Sequence, residues 1–393
     1  MPSAVFIAVA LSSRLRKAKV PRSMPKIAID AMGGDHAPHA VIEGALLAVK
    51  DLAAELVLVG DRDAIGRELA KHHDAPKFDV IAASQVVPMH ESPSAALRKK
   101  DSSIAVAFDL MRRGEVDAVV SAGNSGAMMA IGMFVMGTLA HVARPAILVV
   151  VPSLGKGTVI VDAGANVDCK PRHLVQFGLM GSIYSERVLG VPRPRVGVLS
   201  NGEENGKGNE LTRAASEQLA VTSLNYIGYV EGRDIFNGKV DVVVCDGFTG
   251  NIALKSMEGV ASFAGEVLKS AFQKSIPSRL GYLLSRKSLS EAYRRLDYAE
   301  YGGAPLIGLD GVAIVAHGGS NPRAIKNAIR AACETVNQEM NRHIAEVLSG
   351  TEDGAKKEGL PRKLWERFKS KIESLGEKPE AVSGPEERRK SGD

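Results

Sequence analysis

From residue 26 onward, short apolar runs alternate with stretches of helical periodicity. A turn rich in Gly, Asp or Asn closes each run before the next helical stretch begins. The runs predict strands at 26–30, 55–59, 116–121, 146–151, 158–162, 195–200, 225–230 and 240–245. Most are continuous and β-branched, such as Val-Asp-Val-Val-Val over 240–244. Continuous rather than alternating hydrophobicity marks strands buried on both faces, hence a largely parallel sheet between two helical layers. The regular β–α alternation predicts a doubly wound α/β fold, and no repeat of 20–50 residues interrupts it.

In such folds the loops leaving the C-terminal ends of the strands converge on one crevice. Six Gly-bearing loops leave strands on that side: Asp30-Ala-Met-Gly-Gly-Asp-His-Ala-Pro38, 121–126, 162–168, 201–210, 246–251 and 317–321. One such turn is punctuation; six on one edge predict a site. Residues 266–301 differ. Leu268, Phe272, Ile276, Leu280 and Leu284 fall four apart, interrupted only by Pro277, and Lys269, Lys274, Arg279, Arg286, Lys287, Arg294 and Arg295 surround them. This predicts one or two basic amphipathic helices projecting from the body, serving a dimer partner, a lobe or a membrane surface.

Charge changes the picture less than it first suggests. The chain of 393 residues carries a net +5, but residues 1–23 hold five basic residues and no acid, and the stretch from Thr351 holds eleven basic against ten acidic. Residues 24–350 are therefore left at about −1, without the clustered positive surface that nucleic acid requires. Three scattered cysteines, Cys169, Cys245 and Cys333, without a CxxC, predict reduced thiols rather than disulfides or zinc. Ala4–Leu11 is apolar, but its charges follow rather than precede it, unlike a secretory signal, and no run reaches the ~20 residues of a membrane span. Residues 1–23 are read as a disordered extension or a misassigned start. The body is read as 24–350, with one lobe at 24–157 plus 310–350 and a second at 158–309. The segment 351–393 is read as a charged mobile tail containing a short amphipathic helix around Trp365.

The loops carry candidate chemistry by their donors. Gly-rich turns at helix starts present backbone N–H groups to anions, and Gly123, Asn124 and Ser125 stand at such a start, where simple helix capping is the alternative. The segment 202–208 fails as a P-loop: three residues, not four, separate its first two glycines, and Gly208 rather than a hydroxyl follows Lys207. Lys207, flanked by glycines in a polar loop, suits an oxyanion site or a solvated surface. Asn251 and Thr249 offer uncharged donors, while Asp35 with His36, and His317, are either acid/base groups or turn residues. HExxH, compact Cys/His clusters and a GxSxG elbow are all missing, which predicts chemistry by positioned donors, without metal or cofactor.

Taken together, 29–38, 121–127, 164–171, 207–212, 246–251 and Tyr301-Gly-Gly-Ala304 resemble the phosphate acyltransferase family, in order along 24–345. The resemblance implies a three-layer α/β/α sandwich related to phosphotransacetylases and to the isocitrate/isopropylmalate dehydrogenase fold. It also implies a cytoplasmic, peripherally membrane-associated homodimer. The implied reaction is acyl-[acyl carrier protein] plus phosphate giving acyl phosphate, which passes to a membrane glycerol-3-phosphate acyltransferase for phospholipid synthesis. In that frame Lys207 holds phosphate and the developing oxyanion, and Asn251 bonds the thioester carbonyl or phosphate. Gly123, Asn124, Ser125, Asn166, Asn209 and Thr249 line the site, and Asp35, His36 and His317 orient. Lys269, Arg279, Arg286, Lys287, Arg294 and Arg295 face acidic carrier protein or lipid. Rival readings are a coenzyme A-dependent phosphotransacetylase, an oxidative decarboxylase on the same fold, and a non-catalytic lipid or anion sensor.

Overall fold

The structure, a computed structural model, describes residues 24–204, 206–296 and 302–349, with backbone alone for 291–296. The expected extension at 1–23, the tail at 351–393 with its Trp365 helix, Tyr301, and the side chains of Arg294 and Arg295 lie outside the described residues. Among those described, the chain runs β1 (Lys26–Asp30), α1 (His39–Asp51), β2 (Glu55–Gly60), α2 (Arg62–Leu69), β3 (Asp79–Ala82), α3 (Pro93–Ala96), α4 (Ser103–Arg112), β4 (Ala118–Ser121), α5 (Ser125–Met136) and β5 (Ala146–Val151). It continues through β6 (Thr158–Val161), α6 (Pro171–Arg187), β7 (Arg195–Leu199), α7 (Glu210–Ala220), β8 (Asn225–Val230), α8 (Asp234–Asn237), β9 (Val242–Val244), α9 (Gly247–Gln273), α10 (Ile276–Leu296), β10 (Ala304–Ile307), β11 (Val312–Val315), α11 (Pro322–Asn337) and α12 (Met340–Ser349).

The strands form one sheet in the order β3-β2-β1-β4-β11-β10-β5-β6-β9-β7-β8. Seven neighbouring pairs are parallel and three antiparallel, and the three are consecutive in the middle: β11–β10, β10–β5 and β5–β6. The expectation of a mostly parallel sheet holds on either side of that seam. Both faces are covered, as continuous hydrophobicity requires. In β1, Ala28 packs on one face with Phe108 of α4 and Met128 of α5. Ile27 and Ile29 pack on the other with Val41 and Ile42 of α1 and Ile325 of α11. Across the seam, Val159, Val161, Val242 and Val244 bury against Phe177 of α6 and Ile344 of α12, while Ile160 and Val243 meet Ile235 of α8. Each fully buried Phe or Ile contributes roughly 1.5–3 kcal/mol by leaving water.

Three strands went unpredicted. β3 is a four-residue edge strand that is not fully buried, so its apolar signal is weak. β10 contains Pro305, which normally argues against an interior strand. Here β10 pairs with β11 through Ala304 and Pro305, and with β5 through Leu306 and Ile307. A residue without an N–H is tolerated because the strand changes partner halfway. β11 forms from the short apolar run at 312–316 that precedes the Gly-rich turn at 317–321. The projecting helices also begin earlier than residue 266: α9 starts at Gly247 and α10 at Ile276, with Pro277 in its first turn, where a proline fits.

Candidate active site

Two buried carboxylates organise the loops at the C-terminal ends of the parallel strands. Asp30, ending β1, accepts from Ser121 Oγ at 2.7 Å and from the Met32 N–H at 3.1 Å. Burial pushes its carboxyl above the usual range, against hydrogen bonds that pull it down. A Cβ at Gly33 would stand 2.6 Å from Asp30 Oδ2 and 2.8 Å from the Gly123 nitrogen, so only glycine lets the two loops touch. Asp162, following β6, plays the corresponding part on the other side of the seam. Its Oδ1 accepts from the N–H groups of Ile147, Gly164 and Ala165 at 3.0, 3.1 and 3.0 Å. Its Oδ2 accepts from the Asn166 N–H at 2.6 Å and from Asn166 Nδ2 at 2.8 Å. Burial raises this carboxyl too.

The loop that Asp162 folds receives the start of α9. Asp246 caps that helix by accepting from the Thr249 N–H at 2.9 Å and from Thr249 Oγ1 at 2.8 Å. The Gly247 N–H donates to Asn166 O at 2.7 Å, and the Asn251 side chain lies against Gly164.

Two cavities flank this helix start. The first, of ≈ 470 Å³, has Ser200, Asn201, Asn209, Thr212, Asp246 and Thr249 among its polar lining, and Leu199 and Cys245 among its apolar walls. The second, of ≈ 300 Å³, has Gly123, Ser125, Asn251, Lys255, Glu258 and His317 among its polar lining, and Ile147, Val149, Leu254 and Val315 among its apolar walls. The expected single pocket is thus replaced by two, because the first turn of α9 stands between the loops. Gly123, Ser125, Asn251 and His317 come together in one, Asn209 and Thr249 in the other.

The remaining predicted residues divide further. Asn124 caps α5, accepting from the Ala127 N–H at 3.0 Å, and its Nδ2 donates to the Met89 and Glu91 carbonyls at 2.8 Å each. Asn166 is buried, with its amide spent on Asp162 and on Pro145 O at 2.8 Å. Both build loops and neither lines either of these two cavities. Asn209 caps α7 through a reciprocal pair of 2.9 Å bonds with Thr212. The Asp35 N–H donates to Gly318 O at 2.9 Å, which fixes that loop beside the turn holding His317. His36 is exposed and lines neither cavity. Lys207 is exposed, its stem folded over Gly202 beside the Thr249-side cavity, and it lines neither that cavity nor the one that holds Asn251. Lys269, Arg279, Arg286 and Lys287 sit on the α9–α10 hairpin away from both cavities.

Lys255 and Glu258, the charged residues of α9 that line the second cavity, went unpredicted. The signal was present: Asn251, Lys255 and Glu258 are spaced i, i+4 and i+7, one polar stripe along α9.

A family model described as a fatty acid synthesis protein matches residues 25–343. A phosphate acyltransferase of Geotalea uraniireducens (strain Rf4) is 55% identical over 325 residues, 82% of this chain and 94% of the relative. One from Geobacter sulfurreducens (strain ATCC 51573 / DSM 12127 / PCA) is 54% identical over 323 residues, 82% of this chain and 93% of that relative. Among solved structures, a phosphotransacetylase from Streptococcus pyogenes superposes with a TM-score of 0.55 at 14% identity, covering 80% of this chain and 94% of its own. The EutD phosphotransacetylase from Staphylococcus aureus reaches 0.52 at 14% identity over 80% of this chain and 94% of its own. These two likenesses show the fold, an α/β architecture shared across distant sequences.

Proposed function

Because the chain belongs to the phosphate acyltransferase family, we propose that it moves a fatty acyl group from acyl-[acyl carrier protein] to inorganic phosphate. Acyl transfer onto phosphate comes with the membership; the donor, the residue roles and the cellular setting are the proposed parts. A phosphate oxygen attacks the thioester carbonyl carbon and forms the new C–O bond. The tetrahedral oxyanion then collapses, breaking the C–S bond, and sulfur leaves with the electron pair as a thiolate. The parent thiol has a pKa of roughly 8.5, so little acid assistance is needed. What the protein supplies is position and charge stabilisation, for which one well-aimed donor contributes about 3 kcal/mol.

The observation that carries this reading is the first turn of α9, which has one cavity on its Thr249 side and another on its Asn251 side. The Asn251-side cavity, walled by Ile147, Val149, Leu254 and Val315, suits the acyl head, and the Thr249-side cavity, with Asn201, Asn209 and Thr212 in its lining, suits the carrier's pantetheine arm. Asn251, packed on Gly164, directs its carboxamide at the thioester carbonyl. Lys207 supplies positive charge from the Thr249 side, while Asn209 and Thr249 meet the arm, and Ser125 and Gly123 meet the acyl phosphate. Asp35 steadies the His317 turn. The lobes proposed at 24–157 plus 310–350 and at 158–309 interleave in the sheet, since β10 of the second lies between β11 and β5 of the first.

The test is direct: mix the protein with phosphate and either palmitoyl-carrier protein or palmitoyl coenzyme A, and trap acyl phosphate with hydroxylamine. Hydroxamate from the carrier substrate is expected; preference for coenzyme A would replace the carrier by the alternative donor, and product from neither would sink the reading. The same proposal includes a homodimer, peripheral membrane attachment and delivery of acyl phosphate to a membrane glycerol-3-phosphate acyltransferase. Its support is the α9–α10 hairpin, where Phe263 is 70%, Ile276 82% and Leu284 80% exposed. None of the described helices is long and apolar enough to cross a membrane.

A further inference from the structure

We infer that Lys255 and His317 together form the binding site for the attacking phosphate, an assignment that rests on the acyl-transfer reading above. Four observations lead to it. First, Lys255 Nζ and His317 Nε2 stand 3.4 Å apart at the cavity that also holds Asn251. Second, the ring is oriented from behind, since the Gly319 N–H donates to His317 Nδ1 at 3.1 Å. With Nδ1 accepting, the proton of a neutral imidazole resides on Nε2. Nε2 and the ammonium of Lys255 thus border one space, where an oxyanion can accept from both.

Third, Glu258 holds Lys255 at 2.8 Å, one turn further along α9. This carboxylate directs the ammonium and its stem, while leaving two of its three protons for a ligand. Fourth, the geometry is fixed from three separate elements. Lys255 and Glu258 come from α9, His317 follows β11, and the loop after β1 ties down the His317 turn through the Asp35 N–H to Gly318 O. Asn251 lies one helical turn before Lys255 on the same face. A phosphate held by Lys255 and His317 therefore adjoins the carboxamide that receives the thioester oxygen, with the apolar wall beyond for the acyl chain. Lys207, across the helix start, is left to the carrier side of the reaction.

Steady-state kinetics with phosphate and acyl donor varied separately tests this, using Lys255→Met and His317→Gln. Both residues are exposed enough that neither change threatens the core. Each variant is expected to raise KM for phosphate on the order of 10- to 100-fold, the value of a charge-assisted hydrogen bond, with KM for the acyl donor within about twofold. Glu258→Gln is expected to raise it less, and to add nothing on top of Lys255→Met, because Glu258 acts through that lysine. An unchanged phosphate KM in both single variants overturns the assignment, as does an equal rise in KM for the acyl donor. Wild-type protein silent with every acyl donor would instead sink the functional reading. Calorimetric titration of inorganic phosphate into wild type and Lys255→Met would then still decide the site: binding lost in the variant supports it, and equal binding or none to wild type overturns it.

Discussion

The α-carbon of Gly250 packs against the backbone carbonyl oxygen of Asp162, with so little room that a Cβ on residue 250 would overlap that oxygen. The contact joins the first turn of α9 to the loop after β6, and it sets where Asn251, the next residue, points. Gly250→Ala must push the helix start away. Overpacking of this kind costs roughly 1–3 kcal/mol or more, so thermal unfolding should shift down by several degrees. Turnover should fall further than stability does, because Asn251 moves with the helix. A variant that unfolds at the wild-type temperature and turns over normally would show that the junction yields without cost.

Asp162 is the other half of that junction. Its two oxygens accept five hydrogen bonds, three on Oδ1 and two on Oδ2. In Asp162→Asn one acceptor becomes a donor and faces either the Asn166 pair or the three backbone N–H groups. Each buried group left without a partner costs about 1–3 kcal/mol. The urea midpoint is expected to drop by the equivalent of at least ~2 kcal/mol, and Asp162→Ala by more. An unchanged midpoint for Asp162→Asn would mean that the loop has other means of closing.

How much of this was legible beforehand follows from the kind of signal each part leaves. Strands such as β5 and β8 appear at their predicted ends because their apolar runs are bounded by turn residues. β10 was invisible because its Pro305 argues against an interior strand, and only the change of partner midway reconciles the two. The Gly-rich loops leave the C-terminal ends of the strands as expected, yet the sequence carries no mark for the partition that α9 makes between them. Asn124 takes the capping role that stands as its alternative, while the Asn166 amide, expected as a ligand donor, is consumed by a loop carbonyl and a buried carboxylate. A side-chain amide looks the same in either role until its neighbours are known. Lys255 and Glu258 were overlooked for the opposite reason: charged residues on a helix usually face solvent, and only the i, i+4, i+7 spacing with Asn251 distinguishes them.

The thiols near the site should be inert. Burial pushes Cys169 up to about 12, reinforced by the charges of Asp162 and Asp246, and its Sγ donates to Asn166 O at 3.5 Å. Cys245 is raised as well, by burial first. A raised thiol pKa means less thiolate at any working pH, about one part in ten thousand for Cys169 at pH 8. Iodoacetamide inactivation should therefore be slow at pH 8 and accelerate about tenfold per pH unit as long as the fold persists. Fast loss of activity at pH 7–8 through Cys169 would point to an acyl-enzyme route in place of direct attack by phosphate.

The α9–α10 hairpin separates two apolar surfaces that should respond to different partners. Val260, Phe263 and Val267 recur at i, i+3 and i+7 along α9, while Ile276, Leu280 and Leu284 recur at four-residue intervals on α10. Phe272 and Tyr282 pack at 5.4 Å between ring centroids, holding the two helices together near the turn. Arg279 donates to Gln273 O from across the same turn. On the proposal that α9 carries a dimer contact and α10 a lipid contact, Phe263→Asp should convert a dimer to a monomer in sedimentation velocity. It should leave the binding of each remaining chain to anionic vesicles largely intact. Leu284→Asp should leave the mass unchanged and cut vesicle pelleting severalfold, because a charge on the buried face opposes insertion. Wild-type protein that sediments as a monomer and stays in the supernatant with anionic vesicles would remove both roles, and the exposed stripes would then need another partner.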